Sequence, residues 1–178
     1  MPEFLFDGKE TLAALRSLAD LLATQAVEHE TLIIVGGSYL ALNDLRESTR
    51  DIDSVTRLQA ATKRAILEIG QQHGYASDWL NDAAAAFRPT GLRIEDCAVL
   101  FEHQALTILG PSADWIFLMK LYAGRTVDHQ DLTRLWPHTK FDTSNEVIER
   151  LRDAYPLAPD DPYLGEYVDV IRRRAEAY

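Results

Sequence analysis

Two glycines, a serine and two alternate aspartates carry the clearest chemical signal in this chain. The stretch runs Ile33-Ile34-Val35-Gly36-Gly37-Ser38-Tyr39-Leu40 and reaches Thr49-Arg50-Asp51-Ile52-Asp53 about a dozen residues later. Adjacent glycines let another group approach the main chain closely, and free N–H groups at the helix start that follows would attract an anion. Aspartates two apart on a strand point to one face. Side by side they repel each other unless a cation lies between them, and a hard divalent ion with oxygen ligands, Mg²⁺ or Mn²⁺, is the natural counter-charge. A phosphate cradle beside such a carboxylate pair is what in-line nucleotidyl displacement requires.

Each half of the signal has a plainer reading when taken alone. Gly36-Gly37-Ser38 also fits a strand–turn–helix corner with nothing bound. Asp51 and Asp53 also fit a solvated strand edge, or a turn before a helix. Their order and separation favour the joint reading.

The elements that must position these residues follow from hydrophobic pattern. Leu32 to Val35 is a continuous apolar run, the mark of a strand buried on both faces. Gly36 and Gly37 then turn the chain, Ser38 suits an N-cap, and Tyr39 to Leu45 reads as a short helix. Asp51 to Val55 reads as the aspartate strand. Before this core, Glu10 to Ala26 has leucines at helical offsets. After it, Ala60 to His73 is a second long helix ended by Gly74, and Leu80 to Thr90 is loop or short helix. Cys97 to Phe101 and Ala105 to Leu109 read as strands joined at His103-Gln104. Beyond Gly110-Pro111-Ser112 a strongly apolar helix carries Lys120, with Ser112 or Asp114 near its cap. Asp128 to Trp136 is helical up to Pro137, and Asn145 to Ala154 and Tyr163 to Ala177 are helices separated by a linker from Pro156 to Pro162.

Gly-Gly-Ser followed by Thr-x-Asp-Ile-Asp resembles the signature of the DNA polymerase β-like nucleotidyltransferase superfamily. Within it, the chain is similar to the small bacterial branch of AbiEii-type and MenT-type nucleotidyltransferase toxins and their uncharacterised relatives. The segment Asp114 to Arg125, containing Lys120-Leu121-Tyr122-Ala123, with Asp128 and Asp131-Leu132 after it, is similar to that branch's helix with a Lys-Leu-x-Ala core, a nearby Arg and a downstream Asp-x-x-Asp. Asp78-Trp79-Leu80-Asn81 also resembles the uncharacterised relatives. The likeness spans roughly residues 30 to 136.

For matching positions the resemblance implies roles. Gly36, Gly37 and Ser38 would cradle nucleotide phosphates, and Asp51 and Asp53 would hold the metal. Lys120 would approach the triphosphate in the same cleft, and Asp131, with Asp128 as a weaker match, would complete the polar cluster. Composition agrees about Lys120: there are four lysines against fourteen arginines, and Lys120 alone lies within an apolar helix. Its plainer reading is a snorkelling lysine whose ammonium reaches water. One departure stands out. A third carboxylate on a later strand is common in the superfamily, and Glu95, Asp96 and Glu102 are all in range without any spacing that selects one. Either two protein carboxylates suffice, with water and phosphate completing the coordination, or the site is weakened or silent.

Composition limits the choices further. With 178 residues, 47% of them hydrophobic, the chain can bury a proper core. Met1 to Phe6 lacks the basic region of a signal peptide, and no apolar run reaches membrane-spanning length, so a cytoplasmic protein without a membrane partner is expected. Cys97 is the single cysteine, which excludes internal disulfides and thiolate zinc clusters; it reads as a buried thiol. The five histidines show no metal-ligand spacing. A net charge of −10 argues against broad nucleic-acid binding, although Arg46, Arg50 and Arg57 flank the aspartate strand. Arg172-Arg173-Arg174 reads as a solvated helix end complementing its dipole.

The resulting expectation is an α/β, nucleotidyltransferase-like fold: a small, mixed, twisted sheet flanked by helices, with a mostly helical C-terminal third. The core would span residues 1–136 and a helical extension 137–178. The implied activity is metal-dependent transfer of a nucleotidyl group from an NTP to an acceptor hydroxyl. From the toxin relatives, the acceptor would be a tRNA 3′ end and the partner a cognate antitoxin. A protein side chain or a cationic small molecule is the alternative acceptor, and a catalytically silent partner in a toxin–antitoxin or defence operon is the alternative role.

Overall fold

The apolar run ending at Val35 becomes the central strand of a five-stranded sheet. The computed structural model of the chain describes residues 4–177. In it β1 (Glu30–Val35) lies between β2 (Ile52–Ser54) and β5 (Leu106–Pro111), with β3 (Leu80–Asn81) outside β2 and β4 (Cys97–Glu102) outside β5. β2 runs antiparallel to β1, whereas β5 is parallel to β1 and β3 parallel to β2, so the sheet is mixed. The helices are α1 (Gly8–Thr24), α2 (Gly36–Leu42), α3 (Ala60–His73), α4 (Ala113–Ala123), α5 (His129–Leu135), α6 (Ser144–Ala154) and α7 (Leu164–Glu176). The expected α/β class with a helical C-terminal region is what the chain adopts. It divides into two compact units, Met1–Phe87 with Cys97–Gly110 and Arg88–Asp96 with Pro111–Tyr178.

The first unit holds the whole sheet core. Leu32 and Ile34 of β1 join Ile52, Leu80, Leu106 and Ile108 from the neighbouring strands, and Leu15, Leu18 and Leu22 from α1 close over them with Ile66 and Ile69 from α3. α1 starts at Gly8 because Asp7 and Glu10 form a reciprocal capping box. α3 ends as the sequence suggests, with Gly74 in the left-handed region. Its start is capped from a distance: Gln59 N–H donates to Glu30 Oε1 at 2.9 Å, and the Thr62 hydroxyl donates to Glu30 Oε2. A buried carboxylate at the end of the central strand thus supplies the acceptors that the first turn of α3 lacks. Asp82, just past β3, accepts from Leu58 N–H at 3.1 Å and pairs with Lys63 at 3.2 Å. The Leu58 N–H, with help from Lys63, holds its carboxyl below the usual range.

The second unit is helical. α4 is apolar on nearly every side, with Trp115, Ile116, Phe117, Leu118 and Leu121 buried. Phe117 meets the Trp136 ring edge-on at 5.7 Å, and Arg150 lies over the Trp115 ring at 4.7 Å. α6 begins on a second capping box, Thr143 with Glu146, and buries Val147 and Leu151, while α7 buries Val168 and Ile171.

Several local expectations are corrected. Gly36 and Gly37 are not a turn ahead of a helix; they are the first two residues of α2, and Ser38 lies inside it rather than at its cap. The helix stops at Leu42, short of Leu45, with Asp44 in the left-handed region. β2 is three residues long, and Asp51 immediately precedes it. The stretch from Leu80, expected as loop or helix, opens with β3, which is too short for any periodicity to reveal, and Ala83–Phe87 follows as a 3₁₀ turn. Cys97 is half-buried, not buried. The described helices include none long and apolar enough to cross a membrane.

Glu30→Ala removes the acceptor for two donors at the start of α3, so it should lower stability by about 1–3 kcal/mol. Urea unfolding of the full chain measures this. An unchanged midpoint would mean that water caps α3 equally well.

Candidate active site

The end of β1 delivers the chain directly to the candidate site. Val35 pairs in register with Asp53, and the next residue, Gly36, turns into α2 with φ +68°. That angle suits glycine alone. Space imposes the same demand, because a Cβ at Gly36 would lie 2.9 Å from Asp53 Oδ2. The Asp53 carboxylate therefore rests against the backbone at the first residue of α2. Ile52 and Ser54 are fully buried, while Asp51 and Asp53 on either side of Ile52 are half-buried. This alternation fits two carboxylates on the open face of an edge-near strand.

Gly37 is held by a different neighbour. A Cβ there would collide with the Thr49 side chain and stand 3.3 Å from Arg46 Nη1. Thr49 is fixed by reciprocal backbone hydrogen bonds with Phe6, at 2.7 and 2.9 Å, which tie the loop before Asp51 to the aromatic cluster of Phe6, Tyr75 and Trp79. The loop thereby brings a guanidinium to the first turn of α2. Sequence reasoning placed Arg46 only on a flank; its contact with Gly37, and Thr49's, is set by the returning loop and has no periodicity to betray it. Ser38 is fully buried and its hydroxyl donates to the Val35 carbonyl at 3.0 Å. The Ser38 hydroxyl is thus committed to the junction of β1 and α2.

Lys120 is neither snorkelling nor solvated. It is 8% exposed, and its ammonium donates to Asp128 Oδ1 at 2.7 Å and Asp131 Oδ2 at 2.9 Å. All three residues belong to the second unit, whereas Gly36, Gly37, Ser38, Asp51 and Asp53 belong to the first. The structure therefore brings together two sets of candidate residues: Asp53 with Gly36, and Lys120 with Asp128 and Asp131. Arg172–Arg174 are used locally. Arg172 pairs with Asp169 and Glu176, Arg173 donates to the Asp169 carbonyl, and Arg174 meets His129.

Among the described residues, no three His, Cys, Asp or Glu side chains gather in a metal-holding group. Asp96 is occupied with Arg93, whose N–H donates to it at 3.1 Å. The remaining pair still fits a divalent ion of the magnesium type. Its donors are hard carboxylate oxygens, and Mg²⁺ is commonly held by one or two carboxylates together with water and substrate phosphates. The backbone space that a Cβ at Gly36 would fill adjoins one of them.

A family model described as a nucleotidyltransferase of unknown function (DUF6036) matches residues 10–154, and the chain belongs to that family. No curated protein and no solved structure matches it.

Two substitutions test this geometry. Gly36→Ala should cost about 1–2 kcal/mol from the left-handed backbone alone and should displace the Asp53 carboxylate, weakening Mn²⁺ binding measured by calorimetry; unchanged affinity would separate Gly36 from the site. Lys120→Met removes an ammonium that two buried aspartates share and should destabilise the chain by about 3–5 kcal/mol, with Asp128→Asn and Asp131→Asn restoring stability in the triple variant. A Lys120→Met protein as stable as the parent would show that the ion pair contributes nothing to the fold.

Proposed function

We propose that this member of a nucleotidyltransferase family transfers a nucleotidyl group from an NTP to an acceptor hydroxyl, using Asp51 and Asp53 to hold Mg²⁺ or Mn²⁺. The observation that carries the reading is the seating of the Asp53 carboxylate on Gly36, at the first turn of α2. Bound there, the cation would offset the phosphate charge that builds during displacement. The chain's own groups supply the rest. The backbone N–H groups of Gly36 and Gly37 have no partners one turn back in the helix and would face phosphate oxygens, with Ser38 buried behind them. Arg46, lying on Gly37, adds a planar cation suited to the same oxygens. As the acceptor oxygen forms its bond to the α-phosphorus, the α–β phosphoanhydride bond breaks, pyrophosphate leaves, and one proton is released.

The finer assignments rest on the resemblance and on charge. The acceptor is read as an RNA 3′ end of the tRNA type, contacted over a short length, since a net charge of −10 disfavours a long duplex. The setting is read as a cytoplasmic toxin with a cognate antitoxin. Lys120 and Asp131 are read as part of the catalytic machinery as well as of the fold. A second reading, a catalytically silent partner, is favoured by one observation: no third carboxylate joins the pair among the described residues.

Incubation with each α-labelled NTP and total RNA or lysate separates the two. Asp51→Asn and Asp53→Asn should each reduce labelling by about 10³-fold or more, the loss of several kcal/mol of transition-state stabilisation, while the fold stays intact because like-charge crowding is relieved. Excess EDTA should abolish labelling by the wild type. Full labelling by either variant, or in EDTA, would remove the metal assignment, and absence of labelling by the wild type with every NTP would favour the silent partner.

A further inference from the structure

A cavity of about 340 Å³ opens within the second unit, at the C-terminal end of α4 and against α7. Its size falls at the small end of sites for organic ligands. Leu121 and Leu164 form apolar wall, and the His129 and Tyr167 rings meet at its side, 5.6 Å apart.

The polar groups around it are mostly donors, and the hydrogen bonding explains why. Arg174 Nη1 lies 2.6 Å from His129 Nε2. Arginine can only donate, so Nε2 accepts and the ring hydrogen lies on Nδ1. That proton faces the Tyr167 hydroxyl oxygen at 3.3 Å. The Tyr167 oxygen is thus used as an acceptor, and its own proton has no acceptor among the described residues. Burial, and then the nearby Asp128 charge, raise the Tyr167 phenol above its ordinary value, so it stays protonated. The Arg125 guanidinium and the Thr126 hydroxyl, also on the cavity wall, likewise have no partner among the described residues. The acid on the wall, Asp161, already accepts from Tyr163 N–H at 2.9 Å. Asp128, whose charge acts on Tyr167, is paired with Lys120 at 2.7 Å, and Arg174 meets His129.

Three donors without a partner among the described residues, Arg125 and Thr126 of them exposed, stand beside apolar walls and suit a phosphate group carried by a flat, partly apolar body. We propose that this cavity binds a nucleoside monophosphate, with the phosphate taken by Arg125, Tyr167 and Thr126, the base lying against Leu121 and Leu164, and the free oxygen of Asp161 accepting from an exocyclic amine. The site lies in the second unit and does not depend on the assignment of Asp51 and Asp53.

Calorimetric titration of the full chain with AMP, CMP, GMP and UMP, and separately with adenosine, cytidine and inorganic phosphate, tests it. At least one monophosphate should bind, at least about tenfold more tightly than its nucleoside and than inorganic phosphate. Arg125→Gln, a change at an exposed side chain, should weaken that binding about tenfold or more, and Tyr167→Phe should weaken it several-fold while circular dichroism stays unchanged. Asp53→Asn should leave it intact. The proposal is overturned if no monophosphate binds, if inorganic phosphate binds equally well, if Arg125→Gln binds normally, or if Asp53→Asn abolishes binding and so moves the ligand to the first unit.

Discussion

The pairing of Val35 with Asp53 at the last register of β1 is the constraint on which the candidate site depends. β1 is hydrogen-bonded on both sides, to β2 and to β5, and four of its six residues are apolar and buried. Slipping β2 by one residue would drive Asp51 and Asp53 into the place of Ile52 and Ser54, a cost no partner there would offset. Register is therefore set by burial, and the position of Asp53 is set by register. Since the chain leaves β1 through a left-handed glycine, with no loop between strand and helix, the first turn of α2 necessarily lies beside that carboxylate.

A different constraint governs the second unit. α4 is buried on nearly all sides, so a charged residue in it must bring its counter-charge with it. Asp128 and Asp131 supply it from the 3₁₀ turn and helix that follow. Asp128 also acts on Tyr167, whose phenol is held above its ordinary value by burial first and by the Asp128 charge next. The polar order of the helical unit thus runs outward from one buried lysine.

Much of this was legible before any coordinates. The apolar run of β1, the glycine stop of α3 and the leucine periodicity of α1 are local signals, and each gave the element that formed. The aspartate alternation is legible too, because Ile52 between two acids suits a strand with one face inward. What could not be read depends on distant contacts. β3 is two residues long and exists only by pairing with β2. Ser38 suits a cap by its type, yet α2 already begins at Gly36, with the extended Val35 at its cap position. The Glu30 cap on α3 joins residues about thirty apart, and the placement of Arg46 and Thr49 on Gly37 depends on a returning loop tied to Phe6.

The central claim is that Asp51 and Asp53 hold one divalent ion beside the first turn of α2. Crystals of the wild-type chain grown with Mn²⁺ and a non-hydrolysable nucleoside triphosphate, measured at the manganese absorption edge, test it directly. The account predicts an anomalous peak in contact with both carboxylates, with phosphate oxygens at the backbone of Gly36 and Gly37. A peak at any other carboxylates, or triphosphate density away from α2 with no metal between Asp51 and Asp53, would contradict it.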